Sequence, residues 1–170
     1  MDKEALLLLL TGYSEALMPI LEGVPHEALE LPQAVDTWSV KNVCAYFTTW
    51  DGEALRRIDF FSGQRFEPPH NLHDEAYWLA WVEKQLAIKG VMSVQGTLVD
   101  MIGTRQRLLT RLSDLSDFHL VRWLVEDPQA TQPYFPLLIA KLKQWRATWD
   151  EANPPSIGLK KWWQNWRKQA

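Results

Sequence analysis

The chain has 170 residues, 46% of them hydrophobic, so it is long enough for one domain with a real core and too short for two typical ones. Its net charge is -3, and the body is more acidic still because four basic residues belong to the C-terminal segment, which argues against a nucleic-acid-binding domain. The single cysteine, Cys44, cannot form an internal disulfide, and a reducing cytoplasm is the natural compartment for such a chain.

Helical spacing of apolar side chains predicts a first helix over residues 3–21, which ends before Gly23 and Pro25. The leucine run at residues 6–10 is far too short to span a bilayer, and no basic segment precedes it. We therefore expect a core helix without stable membrane insertion, followed by a loop that contains Pro32.

The second predicted helix begins at Ser39, which occupies an N-cap position with Asn42 three residues later. Apolar side chains then recur at helical spacing at Val43, Phe47, Trp50, Ala54, Ile58 and Phe61. Tyr46 lies three residues after Val43 and four before Trp50, so it belongs to the same face of the helix.

Four more helices complete the predicted fold. The spacing predicts one over residues 74–89, a second that starts after the cap Ser93 and ends near Asp114, a short one over residues 117–123, and a last one over residues 133–150. No alternating run is long enough for a sheet, so the sequence predicts an all-α fold.

Residues 1–152 are thus predicted to form a helical bundle, and residues 153–170 a linker and a tail rather than a second domain. The tail from Ile157 onward combines four cations with three tryptophans. Such a segment suits a membrane surface or an acidic partner, but it could also fold back onto the bundle, which is the favoured interpretation.

The entry to the second helix carries the most informative motif of the chain. It contains Trp38, Ser39, Val40, Lys41, Val43, Trp50 and Asp51. In these positions the chain resembles the DinB/YfiT-like superfamily of bacterial four-helix bundles, over roughly residues 5–150, and its second helix and length are similar to the ClbS/DfsB branch. The resemblance implies a DinB-like four-helix bundle, here with an extra short helix and the basic, Trp-rich tail.

Members of this superfamily usually hold a metal with one histidine from the second helix and a histidine pair, spaced i and i+4, from the last helix. The matching positions here are Tyr46, Tyr134 and Leu138. Because leucine cannot ligate a metal and neutral tyrosine is a poor ligand, we expect neither a metal nor another cofactor. His70 and His73 form an H-x-x-H pair in a Pro-rich loop, where solvated histidines are the better interpretation.

The replaced metal site still predicts a ligand pocket. The hydroxyls of Tyr46 and Tyr134 would approach each other, with Trp50 and Trp145 as walls and Leu138 on the same helix face as Tyr134. The alternative is a plain core in which both phenols form hydrogen bonds with their neighbours.

Arg105 interrupts the apolar stripe of its helix, and a core-facing guanidinium needs a carboxylate or a bound anion. Asp51 and Glu53 are the candidate partners. A structural ion pair, or a side chain that reaches solvent past the edge of the bundle, is favoured over capture of an anion.

These features predict a metal-independent small-molecule-binding or hydrolase-like bundle, and the resemblance to the ClbS/DfsB branch implies protection against reactive small molecules. The two phenols would form hydrogen bonds at the reacting centre, and Arg105 or Asp51 would handle charge. No catalytic residue is assigned, because the sequence identifies neither an acid nor a nucleophile. The alternative is a non-enzymatic interaction protein that dimerises through an exposed aromatic face, and a homodimer is the expected assembly.

Overall fold

The structure is a computed structural model that describes residues 1–64, 74–127 and 130–154. The described residues form seven α-helices and no strand, which confirms the predicted all-α class. The helices are α1 (Lys3–Leu21), α2 (His26–Glu30), α3 (Val40–Phe61), α4 (Glu75–Gly90), α5 (Val94–Ser113), α6 (Asp117–Glu126) and α7 (Phe135–Ala152). The H-x-x-H pair His70 and His73 and the tail at residues 157–170 lie outside the described residues.

Side chains cap the N-termini of α1, α3, α4, α5 and α6, as the sequence predicts for α3 and α5. Ser39 Oγ accepts a hydrogen bond from the backbone N–H of Asn42 at 3.1 Å, and Asn42 Oδ1 accepts one from the backbone N–H of Ser39 at 3.2 Å. This reciprocal pair is a capping box, which satisfies two N–H groups that the helix itself cannot pair. At α5 the cap is one-way: Ser93 Oγ accepts a hydrogen bond from the backbone N–H of Gly96 at 3.0 Å.

The structure corrects the sequence-based prediction in two places. The loop expected after α1 contains the short helix α2, whose single turn after Pro25 buries Ala28 and Leu29. The last helix begins at Phe135 rather than near residue 133, so Tyr134 is its N-cap and lies outside the helix. Pro136 explains this start, because proline lacks an N–H and is accommodated best in the first turn of a helix.

Four long helices pack in a ring in which α1 and α3 each contact both α5 and α7. Helices α4 and α6 pack against α3, which is therefore the central helix of the fold. Two buried apolar clusters fill the interior. One includes Leu17, Val43, Phe47, Trp50, Met101, Phe135 and Leu142, and the other includes Leu6, Leu10, Ile58, Leu108, Leu112 and Trp123.

By length and composition, α1 is the one helix of the described residues that could cross a membrane. Its apolar character also has an explanation inside the fold, since five of its side chains are buried in the two clusters. These residues are Leu6, Leu10, Leu17, Ile20 and Leu21. The core helix of a soluble protein passes the same test, so α1 is weak evidence for a membrane.

Candidate functional site

A closed hydrogen-bonded network surrounds Arg105, at the level between the two apolar clusters. Its Nε donates to Asp51 Oδ2 at 2.9 Å, its Nη1 to the carbonyl oxygen of Leu10 at 3.2 Å, and its Nη2 to Gln132 Oε1 at 2.9 Å. Gln132 Nε2 donates in turn to Asp51 Oδ1 at 2.8 Å. Of the two predicted partners, Asp51 forms the ion pair, while Glu53 lies 3.3 Å from the Nε of Arg57.

Gln132 is the network residue that sequence reasoning missed. It lies in the segment between α6 and α7, outside any helix, so no periodicity marks it as buried. Its backbone has a φ of +53°, a left-handed conformation that non-glycine residues adopt rarely and at a cost of order 1 kcal/mol. The hydrogen bonds of its amide to Arg105 and Asp51 offset that cost.

Burial sets the electrostatics of this network. It raises the pKa of Asp51 to about 6, although the charge of Arg105 and the hydrogen bonds from Gln132 and Arg105 lower it. Burial also lowers the pKa of Arg105, against the opposing charge of Asp51. Since the side chains satisfy one another, the Arg105 guanidinium is held by the protein and is not available to capture an anion.

Beside this network lies a cavity of about 240 Å³. Its walls come from α1, α3, α5 and α7 and consist of Tyr13, Ser14, Leu17, Met18, Phe47, Met101, Ile102, Arg105, Gln106, Leu109 and Phe135. The rings of Phe47 and Phe135 stack with their centroids 4.0 Å apart, and Tyr13 packs on Phe135 at 5.5 Å. The cavity is therefore an apolar space with rigid aromatic walls.

Two polar side chains of the cavity wall, Tyr13 and Arg105, form hydrogen bonds with other groups of the protein. The hydroxyl of Tyr13 donates to the carbonyl oxygen of Thr131 at 3.2 Å, and burial raises its pKa despite the nearby charge of Arg105. Ser14 contributes a hydroxyl, but the wall contains no histidine and no carboxylate that could activate it as a nucleophile. This arrangement is suited to holding an apolar molecule rather than to acid–base chemistry.

The structure places the two phenols of the predicted pocket near each other but in different surroundings. Tyr46 is buried and packs on Trp38 at 5.3 Å and on Trp50 at 6.2 Å, whereas Tyr134 is 52% exposed. Burial is the main cause that raises the pKa of Tyr46 to about 12. At neutral pH Tyr46 is therefore an uncharged phenol, unsuited to act as a base.

Among the other predicted pocket residues, Asp51 belongs to the network around Arg105, whereas Trp50, Leu138 and Trp145 belong to the first of the two apolar clusters. Trp50 is buried against Trp78, with ring centroids 4.2 Å apart, and Leu138 and Trp145 pack partly buried against that cluster. Of the predicted residues, Arg105 alone also lines the cavity of about 240 Å³. The cluster and the cavity adjoin at Phe135, whose ring centroid lies 6.5 Å from that of Tyr46.

Tyr46, Tyr134 and Leu138 stand where the resemblance to the DinB/YfiT-like superfamily would place metal ligands. In the described ranges, no group of three or more histidine, cysteine, aspartate or glutamate side chains is arranged to hold a metal ion. Burial raises the pKa of the Cys44 thiol to about 12, so this cysteine is an inert core group rather than a thiolate ligand.

Comparison with known proteins gave no match: no family model, no curated protein and no solved structure matches this chain. The resemblance to the DinB/YfiT-like superfamily therefore rests on the sequence alone.

Proposed function

We propose that the protein binds a small, uncharged and largely apolar molecule, without a metal, in the cavity between α1, α3, α5 and α7. The observation that supports this function is the cavity itself, about 240 Å³ with apolar and aromatic walls inside an otherwise packed bundle. A ligand in this pocket would remove its apolar walls from water, so it would stabilise the native state.

Binding is a better proposal than hydrolysis for this site. The charged groups nearest the cavity, Arg105 and Asp51, neutralise each other, and the cavity wall offers no general base to Ser14. Together with the resemblance to the ClbS/DfsB branch, this supports protection by sequestering a reactive small molecule in the cytoplasm, within a DinB-like bundle whose metal ligands have been replaced.

A thermal-shift experiment with indole tests the proposal. Indole is small, aromatic and uncharged, and it should raise the melting temperature of the wild-type protein. Ile102→Trp, at the rim of the cavity, should abolish that shift because the larger ring fills the space. Val99→Trp is the matched control, because Val99 is exposed on the same helix and lies outside the cavity wall.

Three outcomes would overturn the assignment. An equal shift in Ile102→Trp and Val99→Trp would show that indole binds elsewhere. A shift that survives Ile102→Trp but disappears in Tyr46→Phe would place the ligand at the phenols, as the sequence predicts. No shift with indole or with other small neutral aromatics would remove the support for a binding function.

A second candidate function, self-association, is supported by the outer face of α6. Phe118, Val121 and Val125 are spaced i, i+3 and i+7 and are 73%, 57% and 78% exposed, while the opposite face of α6 is buried. In an antiparallel pair of such helices, the Phe118 end of one would meet the Val125 end of the other, which is the self-complementary contact of a twofold dimer. We propose this face as the interface of a homodimer.

Light scattering on the full chain tests the homodimer. The wild type should have twice the mass of one chain, and Val121→Glu should convert it to a monomer because a carboxylate would be buried without a partner. Val99→Glu, an equivalent change on the exposed side of α5, should leave the mass unchanged. A monomeric wild type would exclude this candidate.

A further inference from the structure

The cavity between α1, α3, α5 and α7 has a mouth and an inner end of different chemistry. Its mouth lies between α1 and α5, where the wall residues Met18, Ile102 and Gln106 are exposed. Its inner end is formed by buried side chains, among them Phe135 and Arg105. Arg105 is the one charged side chain among the described residues of this wall.

The network around Arg105 uses only part of its capacity to donate hydrogen bonds. A guanidinium carries five N–H donors, one on Nε and two on each Nη. Nε donates to Asp51, Nη1 to the carbonyl oxygen of Leu10 and Nη2 to Gln132. In the part of the chain that the structure describes, one N–H on each Nη therefore has no acceptor.

These spare donors belong to a side chain that the cavity reaches. Arg105 is buried by the fold, and the 8% of its side chain that stays accessible belongs to a residue of the cavity wall. Its Cζ lies over the ring of Phe135, 5.4 Å from the ring centroid, and this ring is part of the same wall. The inner end of the cavity therefore offers hydrogen-bond donors to a ligand.

Charge balance selects an uncharged acceptor for these donors. Asp51 Oδ2 lies 2.9 Å from Arg105 Nε and already compensates the positive charge. A carboxylate in the cavity would add a second negative charge in apolar surroundings, which is unfavourable. A carbonyl group is uncharged, accepts hydrogen bonds and has no proton that would need a partner of its own.

We propose that the cavity binds a small, apolar carbonyl compound, with the carbonyl oxygen on Arg105 and the apolar body against the rings of Phe47 and Phe135. This inference rests on the proposed function, because it names the class of ligand for the same cavity. A cavity of about 150 Å³ is enough for benzene. The cavity here, of about 240 Å³, therefore also has room for a ring with a short carbonyl substituent.

Calorimetric titration of the full chain with acetophenone and isopropenylbenzene tests the proposal. The two molecules have the same shape and differ in a C=O against a C=CH2 group, so the ratio of their dissociation constants measures the effect of the carbonyl oxygen. The combined variant Asp51→Leu, Arg105→Met and Gln132→Met removes the donors without leaving a buried charge unpaired. In this variant acetophenone should lose about tenfold or more in affinity relative to isopropenylbenzene, because a hydrogen bond from a charged donor is lost.

Arg107→Met is the matched control. It removes a guanidinium from the exposed side of the same helix, outside the cavity wall, and should leave the ratio of the two dissociation constants unchanged. A ratio that is equal in the wild type and in the combined variant would overturn the assignment of the carbonyl group to Arg105. A ratio that changes in Ser14→Ala instead would also overturn it, because the carbonyl oxygen would then lie on the hydroxyl of Ser14.

Infrared difference spectroscopy gives a second readout that needs no variant. The C=O stretching band of carbon-13-labelled acetophenone should lie at lower wavenumber in the wild-type complex than in hexane, because a donated hydrogen bond weakens the C=O bond. A band at the hexane position would overturn the assignment to Arg105. If neither molecule binds, the proposed function fails together with this inference, whereas binding of both without a carbonyl effect would overturn this inference alone.

Discussion

At the scale of single residues, the burial of the Asp51–Arg105 ion pair makes the stability of the protein depend on pH. The pKa of Asp51 is raised from 3.8 to about 6, mainly by burial. Between these two values the folded protein holds a proton at Asp51 that the unfolded chain has already released. The contribution of this group to the free energy of unfolding therefore falls as the pH rises through that window, by roughly 3 kcal/mol at most.

We expect a carbon-13 NMR titration of the Asp51 carboxyl group to show a midpoint of about 6. A midpoint for Asp51 close to the ordinary value of 3.8 would show that Arg105 and Gln132 outweigh burial, and the fall in stability across the window would then be absent.

At the scale of the elements, the capping box of α3 determines where the central helix begins. Ser39→Ala removes the side-chain acceptor for the N–H of Asn42, and we expect it to lower the free energy of unfolding by about 1 kcal/mol. Ser39→Asp should retain most of the stability, because aspartate is an equally good cap. Urea denaturation measures both changes, and equal stabilities of the alanine variant and the wild type would contradict the role of the cap.

Local signals explain which elements could be predicted from the sequence. Ser39 and Ser93 mark helix starts because their side chains cap the first turn. The helices α1, α3 and α5 were predictable because their apolar side chains recur at helical spacing. The short helix α2 escaped prediction because five residues cannot show a period. The last helix was predicted to start near residue 133, because the sequence pattern alone does not place Pro136 in the first turn. The structure places the start of α7 at Phe135.

The candidate sites were harder to predict because they depend on contacts between distant segments. Asp51 was one of two predicted partners of Arg105, because Arg105 interrupts the apolar stripe of its helix and needs a carboxylate. Gln132 was not predictable as a member of this network, because it lies outside any helix and reaches the network through a left-handed backbone conformation. The apolar cavity depends on how α1 approaches α5, which side-chain spacing within either helix does not specify.

At the scale of the whole molecule, a polar layer divides the core. Along α3, Asp51 lies between Trp50 of one apolar cluster and Ala54 of the other, and along α5, Arg105 lies between Met101 and Leu108 in the same order. A buried polar layer that is fully paired contributes little net stability, but it allows only the helix registers in which its partners meet. The layer thus connects α1, α3, α5 and the segment before α7 in one arrangement.

This argument predicts opposite effects for breaking the layer and for replacing it. Asp51→Ala alone should lower the free energy of unfolding by about 3 to 5 kcal/mol, because it leaves the Arg105 guanidinium buried without a countercharge. The combined variant Asp51→Leu, Arg105→Met and Gln132→Met removes every charge of the layer, and it should be markedly more stable than Asp51→Ala. Urea denaturation compares the two, with circular dichroism in the aromatic region as a measure of fixed packing. If the triple variant were as unstable as the single one, the layer would be a net source of stability, and its role in fixing the register would lose its support.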